Sequence, residues 1–167
     1  MTTMPFFQVP NSAFPWSLTA QQLADGFVPP PGSVEISAAE AHTLSNPPPP
    51  LDEVKAEKLA KIKADRNAAI TGGFTYLNKP IDSDRDSVMA ITGAAVAALA
   101  AKAAGIPYSV TWTCADDSTL TLDADGVLGM SITLAQFADA QHTKGRPLKD
   151  AIKNATAVDA VEAVAWG

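Results

Sequence analysis

Regular alternation of apolar and polar side chains in residues 108–123 predicts a β-hairpin. Asp116, Asp117 and Ser118 interrupt the alternation and supply the turn. The apolar positions on one face of the two strands are Tyr108, Val110, Trp112, Cys114, Leu120 and Leu122. We therefore expect Trp112 in the core of a domain, and Cys114 beside it as a small buried side chain rather than a nucleophile.

A charged helical pattern covers residues 52–73. Acidic side chains open it, basic ones follow, and Gly72-Gly73 closes it, which matches the helix dipole and a glycine stop. Its apolar stripe is thin, so the helix either lies on a core or forms a short oligomeric coiled coil. The next residues, 74–82, predict a small hairpin with its turn at Asn78-Lys79 and an edge strand at Pro80.

The longest helical pattern, residues 82–105, is built mostly of alanine and follows an acidic turn. Asp82, Asp84 and Asp86 stand at alternate positions, as at the start of a calcium-binding loop. Ser87 takes the glycine position of that loop and Gly93 takes the position of its terminal acid. We therefore expect no metal site here, and expect one short polar side chain to cap the helix.

The larger apolar side chains of this helix share one side with its glycine: Met89, Gly93, Val96, and Leu99 or Ala100. Small side chains let neighbouring elements approach closely, so we expect the helix at the packed centre of the domain. Another backbone crossing at Gly93 would explain the helix propensity lost there, about 1 kcal/mol. The alternative is that the alanines only reflect a GC-rich coding sequence.

The C-terminal residues predict helices. Asp123 can cap a long helix, which we expect to break into two pieces at Gly145 and Pro147. A last short helix is predicted after a Thr156 cap, ending at Trp166. Together these patterns predict an α+β domain over residues 51–167: helix, hairpin, Ala-rich helix, hairpin and C-terminal helices.

The first 50 residues differ in composition, and we predict that they form a separate arm and linker. They hold ten of the 13 prolines and four of the six phenylalanines. A short helix is expected from a Ser17 or Thr19 cap to Gly26, a strand at residues 34–36, and a helix capped by Ser37 with Glu40 in capping-box spacing. The prolines of residues 47–50 favour a stiff spacer that ends the arm.

Two interpretations of this arm are open. It could be a poorly ordered tail, or an extended docking arm that becomes ordered on a partner. The second is favoured because disordered tails avoid such a density of aromatic side chains. Its predicted partner-binding residues are Phe6, Phe7, Phe14, Trp16 and Phe27.

Composition narrows the function classes. A net charge of -6 without clustered Lys and Arg argues against nucleic acid and anionic membrane surfaces as partners. The apolar run at residues 88–101 is shorter than a membrane-spanning helix. With a single cysteine, two distant histidines and carboxylates confined to turns, we expect neither an enzyme nor a cofactor or metal site.

The features after residue 52 resemble, in their order, a small domain of unknown function, numbered 4376, found in tailed-phage and prophage tail proteins. The matching motifs are D-S-D from Asp82, T-G-A from Thr92, W-T-C-A-D-D from Trp112 and L-T-L-D-A before the long C-terminal helix. Residues 32–44, GSVEISAAEAHTL, are similar to a stretch of phage tail fibre assembly proteins.

The resemblance implies a non-enzymatic protein of tail fibre assembly or attachment, and no catalytic residues carry over from it. We expect an assembly chaperone that binds the fibre through the N-terminal arm in the host cytoplasm. The alternative is a structural tail or baseplate component that stays in the virion tail. The expected partner is a tail fibre or baseplate protein, and homo-oligomerisation is left open.

Overall fold

The computed structural model describes residues 5–167, which form two compact units divided between Pro50 and Leu51. Each unit combines helices with short antiparallel strands. The α+β fold class predicted from the sequence is confirmed. The division falls at the end of the proline run, where the sequence predicted the linker to end.

The N-terminal unit is built on a three-stranded antiparallel sheet. Strand β1 (Phe6–Gln8) lies between β2 (Trp16–Ser17) and β3 (Val34–Ile36). Helix α1 (Ala20–Ala24) follows β2, and α2 (Ala38–Ser45) follows β3. The expectation of an arm that is extended on its own is therefore wrong. Its strands pair with one another, and the unit buries its own small core of Val9, Leu18 and Ala41.

Both short helices of this unit begin with a capping box. Thr19 accepts a hydrogen bond from the backbone N–H of Gln22, whose side chain accepts one from the backbone of Thr19 in return. Ser37 and Glu40 make the same pair of bonds at the start of α2. These bonds satisfy backbone donors that have no partner inside the helix. The predicted Ser37 cap is confirmed, and Thr19 rather than Ser17 caps α1.

The C-terminal unit contains four helices and two hairpins. Its elements are α3 (Leu51–Thr71), β4 (Phe74–Tyr76), β5 (Lys79–Ile81), α4 (Arg85–Ala104), β6 (Ser109–Thr113), β7 (Thr119–Asp123), α5 (Ala124–Asn154) and α6 (Val158–Glu162). Helix α5 packs against both α4 and α3. The order of elements is the one predicted.

Two hydrophobic cores lie along α5. The first joins α4, both hairpins and the N-terminal half of α5, and its buried side chains are Phe74, Ile81, Ile91, Ala98, Cys114, Leu122, Val127 and Met130. The second joins α3, α6 and the C-terminal part of α5 through Ile62, Ile152 and Val161. Cys114 is buried as predicted, and Trp112 is half-buried against the first core.

The first hairpin turns one residue earlier than predicted. Leu77 and Asn78 both have positive φ, 48° and 60°, and Lys79 already belongs to β5. Two consecutive positive φ values are typical of the tight two-residue turns whose twist matches that of paired strands. From β4, the hydroxyl of Tyr76 donates a hydrogen bond to the carbonyl of Gly126 (2.8 Å), which fastens the hairpin to α5.

Helix α5 is not broken, which corrects the prediction at Gly145 and Pro147. It runs through both residues for 31 residues. Proline removes one helical hydrogen bond at a cost of about 3 kcal/mol, but α5 is held by a hydrophobic core on each side of it. Gly145 is buried against Trp166. A Cβ added at Gly145 would lie 3.3 Å from the tryptophan ring.

The chain end also differs from the prediction. Helix α6 begins after Ala157 without a side-chain cap and ends at Glu162, so the Thr156 cap and the helix end at Trp166 are wrong. Trp166 instead lies in the irregular segment after α6, packed against the second core with the Lys144 ammonium 4.9 Å from its ring centroid. It serves as an anchor for the chain end.

The two sides of α4 have roles that the pattern of side-chain size did not predict. Its buried residues are Ile91, Ala98 and Ala101. The larger residues Met89, Val96 and Leu99 point away from them and are all at least 60% exposed. An added Cβ at Gly93 would meet nothing within 4 Å, so the expected backbone crossing is wrong. The side with Ile91, Ala98 and Ala101 packs the core, and among the described residues nothing contacts the outer face at Gly93.

Helix α4 is also long and apolar enough to cross a membrane, judged by length and composition alone. It has 20 residues, and an 18-residue stretch of it has a mean hydropathy of 1.6 and is 17% buried. The helix extends beyond the apolar run 88–101 at both ends, so the length of that run does not by itself exclude a span. One such helix is a weak indication, since core helices of soluble proteins pass the same test. The absence of a membrane partner stays a prediction.

The acidic turn before α4 forms the predicted cap. The Asp84 carboxylate accepts hydrogen bonds from the backbone N–H groups of Asp86 (2.8 Å) and Ser87 (3.1 Å) and from the Ser87 hydroxyl (2.7 Å). These bonds, that of the Ser87 side chain foremost, lower the pKa of Asp84 below its ordinary value. Asp84 therefore stabilises the start of α4 in its ionised form.

Truncation on the two sides of α4 should have unequal effects on stability. Ile91→Ala leaves a cavity in the first core and should lower the free energy of unfolding by about 2–5 kcal/mol. Leu99→Ala, a matched truncation on the outer face, should change it by less than about 0.5 kcal/mol. Urea unfolding of the full chain followed by circular dichroism measures both values. Equal losses would mean that the outer face is covered in solution.

The Asp84 cap should make stability depend on pH at the acid end. Because its pKa is lowered by folding, its contribution is complete above the unfolded-state value of about 3.9 and is lost as pH falls through the lower folded-state value. In Asp84→Ser a hydroxyl that does not titrate replaces the carboxylate. Below pH of about 4 the melting temperature of the wild type should therefore fall more steeply than that of the variant. Asp84→Asn should follow Asp84→Ser, and three identical profiles would contradict the assignment.

Candidate partner-binding surface

The five predicted partner-binding residues all lie in the N-terminal unit, but their exposure divides them into two groups. Phe6 and Phe7 belong to the central strand β1 and are half-buried. Phe14, Trp16 and Phe27 are 65%, 49% and 59% exposed. The first two hold the sheet together, and the other three present aromatic surface to solvent.

The sheet brings Phe7 and Trp16 together and separates them from Phe6. Phe7 is the cross-strand partner of Trp16, so their side chains lie next to each other on one face. Phe6 is next in the strand and points to the other face, where it lines a small hollow with residues of α2. The five residues therefore do not form one continuous aromatic patch.

The exposed aromatic residues sit at the ends of short elements. The Ser12 hydroxyl donates to the carbonyl of Phe14 (2.7 Å), and Ser12 Oγ accepts from the Phe14 N–H (3.3 Å), which fixes the turn before β2. After α1, the N–H of Phe27 donates to the carbonyl of Gln22 (2.9 Å), and Val28 beside it is also exposed. Ordered backbone thus carries uncovered aromatic side chains at separate positions, and aromatic residues are a type enriched in protein interfaces.

The structure also reveals a groove that the sequence did not predict. It lies between β3 and α2 and has a volume of about 560 Å³. Its lining is mostly apolar: Gln8, Val34, Ile36, Ala39, Glu40, Thr43 and Leu44. The sequence does place Val34 and Ile36 at alternate strand positions and then groove residues four apart on a helix. It does not indicate that the strand and the helix leave a gap between them.

The charge of this unit is one-sided. Residues 1–50 contain the carboxylates Asp25, Glu35 and Glu40 and no Lys or Arg. Glu40 lies on the groove and accepts hydrogen bonds from the backbone N–H and the hydroxyl of Ser37, both 2.8 Å. The backbone bond is the main reason that the pKa of Glu40 is lowered, so this wall of the groove remains negative at neutral pH.

Two hydrogen-bonded polar side chains of the C-terminal unit, Ser83 and Asp116, have structural roles. Its one buried polar residue among those described, Ser83, donates to the carbonyl of Ile70 (2.5 Å) and accepts from the N–H of Gly73 (2.9 Å). Asp116 accepts from the hydroxyl of Ser118, which lowers its pKa and stabilises the second hairpin turn. Over residues 5–167, no three His, Cys, Asp or Glu side chains gather as a metal-binding group. These contacts explain turns and caps.

Residues 53–165 match a family model described as "Domain of unknown function (DUF4376)". No curated protein and no solved structure matches the chain. The matched region lies within the C-terminal unit, so the exposed aromatic residues and the groove lie outside it.

Truncating the exposed aromatic residues should not unfold the N-terminal unit. The double variant Phe14→Ala and Phe27→Ala removes surface side chains and should keep the dispersed amide resonances of residues 5–50 in a ¹H–¹⁵N NMR spectrum. Leu18→Ala, which truncates a side chain only 4% exposed, should collapse that dispersion because the core of this unit is small. Loss of dispersion in the double variant would place the aromatic residues in the core.

Proposed function

We propose that the two units have separate functions. The chain belongs to the family described as a domain of unknown function (DUF4376), and its exposed aromatic residues lie outside the family domain. The C-terminal unit is a stable base, and the N-terminal unit captures a protein partner. The protein is proposed to be non-enzymatic. The arrangement of Phe14, Trp16 and Phe27, uncovered on ordered backbone, is the observation that carries this proposal.

The partner we propose is a bacteriophage tail fibre protein, for which the chain acts as an assembly chaperone in the host cytoplasm. The resemblance of the C-terminal unit to a domain of phage tail proteins supports this choice. The similarity of residues 32–44 to a stretch of tail fibre assembly proteins supports it independently. That stretch contains β3 and α2, the two walls of the groove.

A structural tail or baseplate component is the second candidate, and one feature favours it. The outer face of α4 exposes Met89, Val96 and Leu99 along a single helix. A permanent neighbour in a particle would cover such a face. The two candidates therefore use different surfaces, one in each unit.

Capture of the fibre should depend on the exposed aromatic residues. When the chain is co-expressed with the fibre protein of the same phage, Phe14→Ala, Trp16→Ala and Phe27→Ala combined should reduce co-purification at least tenfold, because aromatic anchors dominate interface energies. The matched control replaces Met89, Val96 and Leu99 by alanine and should leave capture unchanged. Phe6 and Phe7 are unsuited to this test, since they hold the sheet.

Two results would contradict the chaperone proposal. One is full fibre capture by the aromatic variant. The other is recovery of the protein in purified virions at fixed stoichiometry. Loss of incorporation in the α4 variant would then establish the structural role. The chaperone role instead requires that virions lack the protein and that folded fibre is lost when the protein is deleted.

A further inference from the structure

We propose that the groove between β3 and α2 binds an extended, basic segment of a protein partner, which adds a fourth strand to the sheet at the free edge of β3. This proposal rests on the proposed function of the N-terminal unit as the partner-binding unit, and it specifies how that unit would recognise a partner. It assigns a function to residues outside the aromatic set.

The strand order leaves β3 at an edge of the sheet. β1 occupies the centre, and β3 pairs with it on one side. Over residues 5–167, no strand pairs with the other side of β3. Every second residue of an edge strand directs its N–H and C=O outward, where an added extended chain can bond them. Because β3 has three residues, one or two of them present an outward donor and acceptor to such a chain.

The groove lies where the side chains of an added strand would point. Val34 and Ile36 share one face of β3, and their cross-strand partners in β1 are Gln8 and Phe6 respectively. Ala39, Glu40, Thr43 and Leu44 form the facing wall on α2. Val34 is 62% exposed, so this apolar floor is uncovered. A chain paired with β3 would place alternate side chains in the groove, whose volume lies in the usual range of about 300–1,000 Å³ for binding sites.

The negative charge of the N-terminal unit indicates which kind of partner segment would bind. Glu35 lies in the middle of β3 and Glu40 on the α2 wall, with no Lys or Arg side chain in residues 1–50 to balance them. A segment with apolar residues at alternate positions and Lys or Arg between or beside them complements both features. The same charge disfavours a second copy of β3 as the occupant, because antiparallel pairing centred on Glu35 would set the two carboxylates opposite each other.

Two synthetic peptides test the mode directly. The first is acetyl-Lys-Ile-Thr-Val-Thr-Ile-Lys-amide, and its twin replaces both lysines by glutamate. Added to the ¹⁵N-labelled full chain, the basic peptide should shift the amide resonances of residues 34–36 and 39–44 with a dissociation constant on the order of 1 mM or lower. The acidic twin should bind about fivefold more weakly or not at all.

Variants of α2 locate the binding. Ala39→Trp fills the groove from an exposed helical position and should abolish the peptide-induced shifts. Ala38→Trp is the matched control: it places the same ring beside the hollow on the other flank of α2 and should leave binding unchanged. Glu40→Gln keeps the capping box, since glutamine serves at that position, and removes the charge. It should bring the affinities of the two peptides closer together.

The outcomes separate this proposal from the fibre proposal. Absence of shifts at residues 34–36, equal binding of both peptides by the wild type, or unchanged binding by a folded Ala39→Trp variant would each overturn the strand-addition mode, whatever the fibre result. Peptide binding with no fibre capture would support the mode and contradict only the fibre. Peptide-independent dimerisation through residues 34–36 would assign the edge to a second copy and overturn the proposal.

Discussion

Apolar packing along one uninterrupted helix holds the C-terminal unit together. Helix α5 contributes Val127 and Met130 to the first core and Ile152 to the second. Its 31 residues span about 46 Å at the usual helical rise, so one helix contributes buried side chains to both cores. Pro147 costs the helix a backbone hydrogen bond, and buried contacts on both sides of it offset that loss.

Local features of this protein could be predicted from the sequence because their causes are local. The Ser37 capping box, the Asp84 and Asp123 caps and the alternating hairpin at residues 108–123 all depend on neighbours within a few residues. The faces of α4 could not be predicted, because a helix built mostly of alanine carries little amphipathic contrast. The continuity of α5 depends on cores at both of its ends, which no local pattern reports.

The candidate site could be predicted only in part, because it too depends on contacts between residues that are distant in sequence. Aromatic side chains near the N-terminus indicated an interaction surface, and three of the five are exposed. Phe6 and Phe7 are instead half-buried, because β1 pairs on both sides with strands that no local sequence pattern places beside it. The groove arises from the space between a strand and the helix that follows it. Such a gap depends on how the helix crosses the sheet, which residue types do not determine.

The absence of Lys and Arg from the first 50 residues has a consequence for detecting the protein. Trypsin cleaves after Lys and Arg, and the first such residue in the sequence is Lys55. A tryptic digest therefore yields the whole N-terminal unit as one peptide that carries all ten of its prolines and four phenylalanines, too long for routine peptide sequencing by mass spectrometry. Peptide searches by this route would register the C-terminal unit alone and would not distinguish a chain that had lost its N-terminal unit from the intact one.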